Sequence, residues 1–331
     1  PYDITQAGFT GASVNTVTKS GTNQFRGTAY AFYRNEDLTG KKVKGNKILA
    51  PDLNQFQGGF AFGGPIIKNK LFFFVNAELE DRTDQGSNFV AARPGLSGSN
   101  VSRVTAEDLE SVSTALRNRF QYETGVYEGY THNTDNVKGL VKLDWNISSK
   151  HSLAFTYNFL DASKDKPAQP SAIGRRGPDY TTLQFYNSGY TINNKLNNFA
   201  LELKSNISST YANKFRAVYT TFRDTRDPFS VPFPVININK DGVRYIVAGH
   251  EPFSIHNKLN QDAFQVTDNF NIFLNKHTLT LGGSFEQFKF ENSFNLDAYG
   301  GTFGPGHASV QEFVNLVNSG DFDDEVGFSR N

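Results

Sequence analysis

The sequence predicts an all-β chain whose antiparallel strands form part of an up-and-down transmembrane β-barrel. Long segments alternate between apolar and polar residues, tight turns alternate with long connections, and aromatic residues are abundant, with 31 Phe and 14 Tyr. Strands and membrane-interface belts both favour aromatic side chains. A soluble β-sandwich produces the same alternation in any single hairpin, so the connections between hairpins must decide between the two folds.

The clearest pattern is a β-hairpin from Gln55 to Arg82. Its first arm is predicted to end at Pro65, because proline has no amide hydrogen to donate to a strand ladder. The polar run from Lys68 to Lys70 supplies the turn. Each arm has about 10 residues or more, which is the length that a tilted strand needs to cross a bilayer.

Other alternating runs predict further strands. The segment from Gln24 to Arg34 precedes the hairpin, and a shorter segment from Ala12 to Lys19 is predicted to be a strand before it. Three more hairpins follow, formed by residues 136–147 with 151–161, 196–207 with 214–224, and 264–274 with 277–287. Counted from Gln24, the sequence predicts nine strands up to Asn292.

The connections alternate in length. Tight turns are predicted near residues 69, 149, 209 and 275, whereas long connections are predicted at 35–54, 83–134, 162–195, 227–260 and from 293 onward. Short turns at one rim and long loops at the other are typical of outer-membrane barrels, which favours the membrane interpretation. The run from Thr105 to Asp108 resembles a capping box and predicts one surface helix, and helical spacing recurs from Val310 to Val317.

The alternation also assigns side chains to two faces of the sheet. The apolar face is predicted to contact lipid, and its candidates are Leu71, Phe73, Val141, Leu143, Trp145, Phe155, Leu201 and Leu281. The polar face is predicted to line the interior, and its candidates are Arg26, Glu78, Glu80, Lys138, Lys142, Asp144, Glu202 and Lys204. The carboxylates of Glu78, Glu80 and Asp81 beside Arg82 are interpreted as part of an interior charge network rather than as catalytic acids and bases.

Composition and missing motifs exclude several function classes. The net charge is zero, which offers no attraction for nucleic acid, and the absence of cysteine excludes disulfides, thiolate catalysis and cysteine-bound metals. No P-loop, GxSxG or HExxH motif is present, so we predict no enzyme and no cofactor. We predict no metal site either. His250 and His256 fit ordinary loop polarity, and the acidic run of Asp321, Asp323, Asp324 and Glu325 lacks the glycine and terminal glutamate of a calcium loop.

The two ends of the predicted sheet raise a question of closure. Nine strands in a meander leave two unpaired edges, and open strand edges do not occur in hydrocarbon. The chain starts at Pro1 without an initiator methionine or a signal peptide. We therefore expect it to be a piece of a longer protein whose other strands complete the barrel.

Two motifs resemble a known family. They are GFTGASVNTVTKSGTNQFRGTAYAFYRNEDLTG, residues 8–40, and FGGPIIKNKLFFFVNAE, residues 62–78. Together they resemble the junction of plug and barrel and the following hairpin in TonB-dependent outer-membrane transporters. The most similar branch is the Oar-like group, near the SusC-type receptors of Bacteroidetes. Ala12 and Arg26 stand where that pattern has glycine and histidine.

The resemblance implies a barrel of about 22 strands filled by an N-terminal plug domain. Residues 1–23 would be the end of the plug and its junction, residues 24–331 would be the N-terminal portion of the barrel, and the interior charges would contact the plug. The implied function is uptake of a ligand through the bacterial outer membrane, energised by the TonB complex. The substrate is not indicated.

An alternative is a non-transporting surface protein. It would act as an adhesin, or as a scaffold in a larger outer-membrane complex with a surface lipoprotein or another outer-membrane partner. The loop residues Tyr122, Tyr127 and Tyr130 are candidates either to contact a ligand or to pack the loop on itself.

Overall fold

The computed structural model describes residues 16–47, 51–168, 177–294, 302–303, 306–322 and 326–327. In chain order its strands are β1 (Arg26–Asn35), β2 (Lys42–Val43), β3 (Asn46–Lys47), β4 (Leu53–Ile67), β5 (Leu71–Gln85), β6 (Val90–Ala92), β7 (Val101–Thr105), β8 (Thr131–Asn146), β9 (His151–Lys166), β10 (Leu183–Gln184), β11 (Tyr190–Asn206), β12 (Tyr211–Pro228), β13 (Ile236–Lys240), β14 (Val243–Ala248), β15 (Lys258–Leu274), β16 (His277–Ser293), β17 (Thr302–Phe303) and β18 (Val326–Gly327). Its helices are α1 (Ala106–Phe120), α2 (Val310–Ser319) and two short 3₁₀ turns, Glu36–Leu38 and Tyr186–Ser188.

Nine long strands form one sheet in the order β1-β4-β5-β8-β9-β11-β12-β15-β16. Every neighbouring pair is antiparallel, and each long strand pairs with the long strands before and after it in the chain. The predicted nine-stranded meander is therefore confirmed. Within the described residues, β1 and β16 are the edge strands of this sheet.

Two local predictions differ from the structure. Strand β4 continues through Pro65 to Ile67, where a register shift next to the turn accommodates the missing amide donor. Proline therefore does not end this arm. Residues 16–19 have no strand structure although a strand was predicted from Ala12 to Lys19; residues 12–15 lie outside the described part of the chain.

The tight turns share one rim of the sheet. Hydrogen bonds join adjacent turns, from Asn146 N to Lys70 O at 2.7 Å, from Asn206 N to Lys150 O at 2.7 Å, and from Phe273 N to Thr210 O at 2.8 Å. Since neighbouring strands are antiparallel, the long connections lie at the opposite rim. The predicted separation of turns and long loops is confirmed.

The long connections at that opposite rim fold on one another. Helix α1 comes from the connection between β5 and β8, β10 from the next, β13 and β14 from the third, and α2 from the chain after β16. Strands β10, β14 and β13 form a small sheet, and α1 packs against α2. We call this unit, residues 86–130, 177–189, 229–257 and 306–322, the cap.

Helix α1 begins as the sequence predicts but is not a surface helix throughout. The Thr105 side chain accepts a hydrogen bond from Asp108 N at 3.1 Å, which satisfies one free amide of the first turn. Leu109, Val112 and Leu116 on one face are fully buried. The apolar spacing therefore reflects packing inside the cap.

A hairpin in the connection 227–260 was not predicted. The segment from Val235 to Ala248 contains two β-rich runs separated by Asp241 and Gly242, whose φ angles are 58° and 72°. Asp-Gly between β-forming runs is a strong hairpin signal, since both central residues of such a turn need positive φ. The sequence thus contains the local signal for this hairpin.

The buried apolar residues decide between a barrel wall and a sandwich. In the described residues the core cluster lies entirely in the cap. In contrast, the apolar face of the long sheet is open, and Leu143, Phe199 and Phe285 are 37%, 39% and 59% exposed. A sandwich would bury this face against a second sheet. An exposed apolar face of this extent fits one wall of a barrel rather than one layer of a sandwich.

Candidate functional site

The strand register places the sixteen sheet candidates on two opposite faces. On one face, Glu78 lies opposite Lys138. Lys142 and Arg26 lie on this same face in one row, which runs from Lys142 through Phe74 and Gly63 to Arg26. On the other face one row of directly paired residues contains Phe73, Leu143, Phe155 and Leu201. The two groups separate as the alternation predicts, whereas their assignment to interior and lipid remains a prediction.

The apolar face ends at a sharp boundary on all nine strands. The last large apolar residue toward the cap is, strand by strand, Tyr33, Phe56, Leu79, Val137, Phe159, Phe199, Tyr219, Phe264 and Phe285. Two residues further along, on the same face, each strand has a polar residue: Asn35, Asn54, Asp81, Asp135, Asp161, Asn197, Thr221, Asp262 and Gln287. Seven of the nine boundary residues are Phe or Tyr, and the exceptions are Leu79 on β5 and Val137 on β8. This row matches the aromatic girdle expected at a membrane interface.

This boundary crosses the sheet at an angle. Tyr33 lies in the row of Phe56 and Asp81, whereas Phe285 lies in the row that reaches β5 at Phe73. Asp81 and Phe73 are eight residues apart, so the boundary descends by one residue for each of the eight strand steps. With about 3.3 Å per residue and about 4.8 Å between strands, the strands tilt by about 35° from the membrane normal. This tilt is that of outer-membrane barrels.

The polar face carries a network of ion pairs. Glu78 forms an ion pair with Lys138 and accepts a hydrogen bond from the Tyr30 hydroxyl. Glu202 lies 3.0 Å from Lys204 and 3.1 Å from Lys214. Because most of these carboxylates are neutralised by neighbouring cations, the geometry fits a charge network rather than an acid–base pair.

Two of the candidates make different contacts. Glu80 accepts hydrogen bonds from Gln55 Nε2 at 2.7 Å and from Asn136 Nδ2 at 3.0 Å, both neutral amides. Arg26 donates to Gln24 Oε1 at 3.1 Å and lines a cavity of about 350 Å³ together with Lys19. This cavity lies between β1 and the chain that leads into it.

The chain before β1 lies on the polar face. Lys142 Nζ donates to Ser20 Oγ at 2.9 Å and to the Thr18 carbonyl oxygen at 3.4 Å. A Cβ at position 21 would collide with the carbonyl oxygens of Phe73 and Gly64, so only glycine allows this close crossing over the β4–β5 hairpin. We call residues 16–23 the junction.

The junction is also fixed at the turn rim. Asn23 Nδ2 donates to Asn69 Oδ1 at 2.5 Å, and Asn69 N donates to Asn23 Oδ1 at 2.8 Å. Asn69 has a φ of 62°, a conformation that asparagine tolerates better than most residues. Of the interior candidates, Lys142 is the one that contacts the junction directly in the described structure.

The loop candidates separate by burial. Tyr122 and Tyr130 are buried in the cap, and burial raises the pKa of each phenol to about 12. They therefore pack the loops on themselves. Tyr127 is half-buried and lines a cavity of about 460 Å³ beside α1, where its hydroxyl donates to Glu110 Oε1 at 3.2 Å.

The histidine and acidic candidates form no metal site among the described residues. His250 is buried in the cap with Nδ1 3.2 Å from Ser230 Oγ, and burial lowers its pKa, whereas His256 is exposed. Asp321 is exposed, and Asp323, Asp324 and Glu325 lie outside the described residues.

Sequence reasoning missed the arginine that joins the cap. The Arg103 guanidinium donates to the carbonyl oxygen of Thr181 at 3.2 Å, to those of Lys240 and Val243 at 3.1 Å, and to that of Arg244 at 3.4 Å. It thereby connects three long connections. Because these acceptors are backbone carbonyls far away in the sequence, no residue pattern indicates the contact.

Comparison with known protein families supports this architecture. A sequence profile of the family described as outer membrane beta barrel domain matches residues 17–315. The chain belongs to this family. An outer-membrane β-barrel domain of this kind lies in the bacterial outer membrane, as predicted from the strand pattern. In the described part of the chain, no helix has the length and hydropathy to span a bilayer.

Individual relatives of this barrel domain cover it in part. It is 28% identical over 156 residues to the TonB-dependent transporter Oar of Myxococcus xanthus, which covers 45% of this chain and 14% of Oar. The predicted resemblance to Oar is confirmed. Similar solved structures include the siderophore receptor PirA of Acinetobacter baumannii, with 14% identity, a TM-score of 0.46, and coverage of 83% of this chain and 32% of PirA. A mutant of the ferric enterobactin receptor PfeA of Pseudomonas aeruginosa has 13% identity, a TM-score of 0.43, and coverage of 82% and 32%.

Proposed function

We propose that this barrel domain forms part of the wall of a TonB-dependent receptor that takes up a ligand through a plugged barrel. The observation that supports this most directly is the junction, which enters β1 from the polar face of the sheet. A chain that leads inward to the first strand is what an N-terminal plug inside the barrel requires. Similarity to the TonB-dependent transporter Oar supports the same function.

In this proposal residues 1–23 end the plug and residues 24–331 begin the barrel. The polar face lines the interior, where Lys142 binds the junction and the remaining charged side chains contact water. The apolar face contacts lipid below the boundary that runs from Tyr33 to Phe285. The TonB complex supplies the energy that moves the plug, and the ligand class is left open. Placement near the SusC-type receptors of Bacteroidetes remains a prediction from the two sequence motifs.

The cap favours a second candidate function. Four separate connections form one folded unit with its own apolar core. Loops that only join neighbouring strands do not need such a core. Such a unit suits a surface protein that binds a partner without transport, for example an adhesin or a scaffold beside a surface lipoprotein. The two functions differ in whether the junction moves.

The test is a labelling experiment on the whole receptor in living cells. This chain has no cysteine, so Thr18→Cys introduces a single thiol into it at a half-buried position. The backbone carbonyl of Thr18, which Lys142 contacts, is retained. We expect a small maleimide to label Cys at this position several-fold faster in energised cells with TonB than in cells that lack TonB.

Thr156→Cys is the matched control. Thr156 is also half-buried and lies directly opposite Lys142 on the same face, but it belongs to the wall. Its labelling rate should not depend on TonB. Equal labelling of Thr18→Cys with and without TonB would contradict the transport proposal and favour the static surface protein.

A further inference from the structure

The contacts of Lys142 fall into two sets of acceptors, one in the junction and one on β8. Its Nζ donates to Ser20 Oγ at 2.9 Å and to Thr18 O at 3.4 Å, both in the junction. The same atom lies 3.6 Å from Asp144 Oδ1, which is two residues along β8 on the same face. Lys142 is only 12% exposed, so its ammonium group depends on protein acceptors rather than on water.

Asp144 is incompletely paired while the junction is docked. Its second carboxylate oxygen, Oδ2, is buried and has no hydrogen-bond partner in the described structure. A distance of 3.6 Å to Lys142 is too long for a good charge-assisted hydrogen bond. The carboxylate is therefore positioned next to a cation whose hydrogen bonds go to the junction.

We propose that Lys142 is a two-position latch that exchanges the junction for Asp144. In the docked state its ammonium group holds Ser20 and the Thr18 carbonyl. When the junction leaves the wall, the ammonium group moves onto Asp144. Neither state leaves a poorly solvated cation without an acceptor, which reduces the cost of release. This inference rests on the proposed function, in which the junction moves during uptake.

The latch predicts effects of opposite sign from two neighbouring residues. Lys142→Met removes the hydrogen bonds to the junction and favours its release. Asp144→Asn removes the negative charge that attracts the ammonium group in the released state, and it therefore favours the docked junction. If both residues only supported the wall, both variants would loosen the junction. Lys138→Met is the matched control, because Lys138 lies on the same face of β8 and pairs with Glu78 but does not contact the junction.

The experiment measures junction mobility in the purified whole receptor. A nitroxide attached to Thr18→Cys gives an immobile spectral component when the junction is docked and a mobile component when it is released. We expect Lys142→Met to raise the mobile-to-immobile ratio by roughly tenfold, in line with the loss of a charged hydrogen bond. Asp144→Asn should lower the ratio several-fold, and Lys138→Met should leave it unchanged.

A mobile-to-immobile ratio that rises in both Lys142→Met and Asp144→Asn would overturn the latch. An unchanged ratio in both variants would overturn it as well. Heat-dependent gel migration of each variant verifies that the barrel has folded before the spectra are compared. The measurement needs neither TonB nor a ligand. Its failure is therefore separate from failure of the transport proposal, which the labelling experiment in cells decides.

Discussion

One introduced charge can test whether the middle of the apolar face lies in the hydrocarbon core of the membrane. Leu143 lies near the middle of the apolar run of β8, between Val137 at the boundary and Trp145 toward the turn rim. It sits in the row of Phe73, Phe155 and Leu201. Leu143→Arg should reduce the free energy of folding into lipid vesicles by about 2–4 kcal/mol, because an arginine on the lipid face at the midplane must be desolvated.

Asp135→Arg provides the comparison at a different depth on the same face. Asp135 is on the same face of the same strand, one polar position beyond the boundary, and it lies directly opposite Asp81. An arginine there reaches water and removes a like-charge pair, so the expected change is about 1 kcal/mol or less. Lys142→Ala tests the other face, where a polar residue is lost without charging the hydrocarbon.

The assay is a urea titration of the whole receptor in lipid vesicles, read by tryptophan fluorescence. Leu143→Arg should lower the midpoint clearly, whereas Asp135→Arg and Lys142→Ala should change it little. Small and equal effects of Leu143→Arg and Asp135→Arg would refute the argument, since they would mean that Leu143 is not in hydrocarbon. A higher midpoint for Lys142→Ala would indicate that the faces are reversed, because the variant would then remove a charge from hydrocarbon.

Two further predictions concern the cap. Arg103→Ala should destabilise it by about 2–4 kcal/mol, because four backbone carbonyls lose a charged donor; faster hydrogen exchange of residues 235–248 in the whole receptor would verify this, and unchanged exchange would contradict it. His250 has a lowered pKa through burial, so the folded cap binds its proton less readily than the unfolded chain does. The contribution of His250 to cap stability should therefore be fully present above pH 6.5 and fall as the pH decreases below that value. The His250→Gln variant should show a weaker dependence on pH. Hydrogen exchange of the cap at pH 5 and pH 8, measured in the unmodified receptor and in the variant, gives the difference.

The strands and their faces were predictable because both depend on local order. A period of two residues fixes which side chains share a face, and short turns such as that at Asn69 fix which strands are neighbours. Eight apolar and eight polar candidates consequently fell on opposite faces. Pro65 was misjudged because a bulge can absorb a missing donor, and such a bulge is not visible in the alternation.

The cap was not predictable in the same way. Its core joins Leu116, Ile246 and Phe313, which come from three different connections. No periodic pattern relates residues so far apart in sequence. The Asp241-Gly242 turn was the local signal available, and it indicates a hairpin without indicating its partners. The contact between Lys142 and the junction was equally beyond a pattern, although the inward position of Lys142 was predicted.

The slope of the aromatic boundary has a consequence for permeability. At a tilt of about 35°, each strand occupies about 6 Å of circumference. A ring of about 22 strands, as the resemblance implies, would then have a radius of about 20 Å. Side chains projecting from the wall reach only a fraction of that distance, so they cannot seal the opening as they do in a narrow barrel. An outer membrane that excludes antibiotics and detergents would then require a folded obstruction in this opening, because the wall of so wide a barrel would select nothing by size.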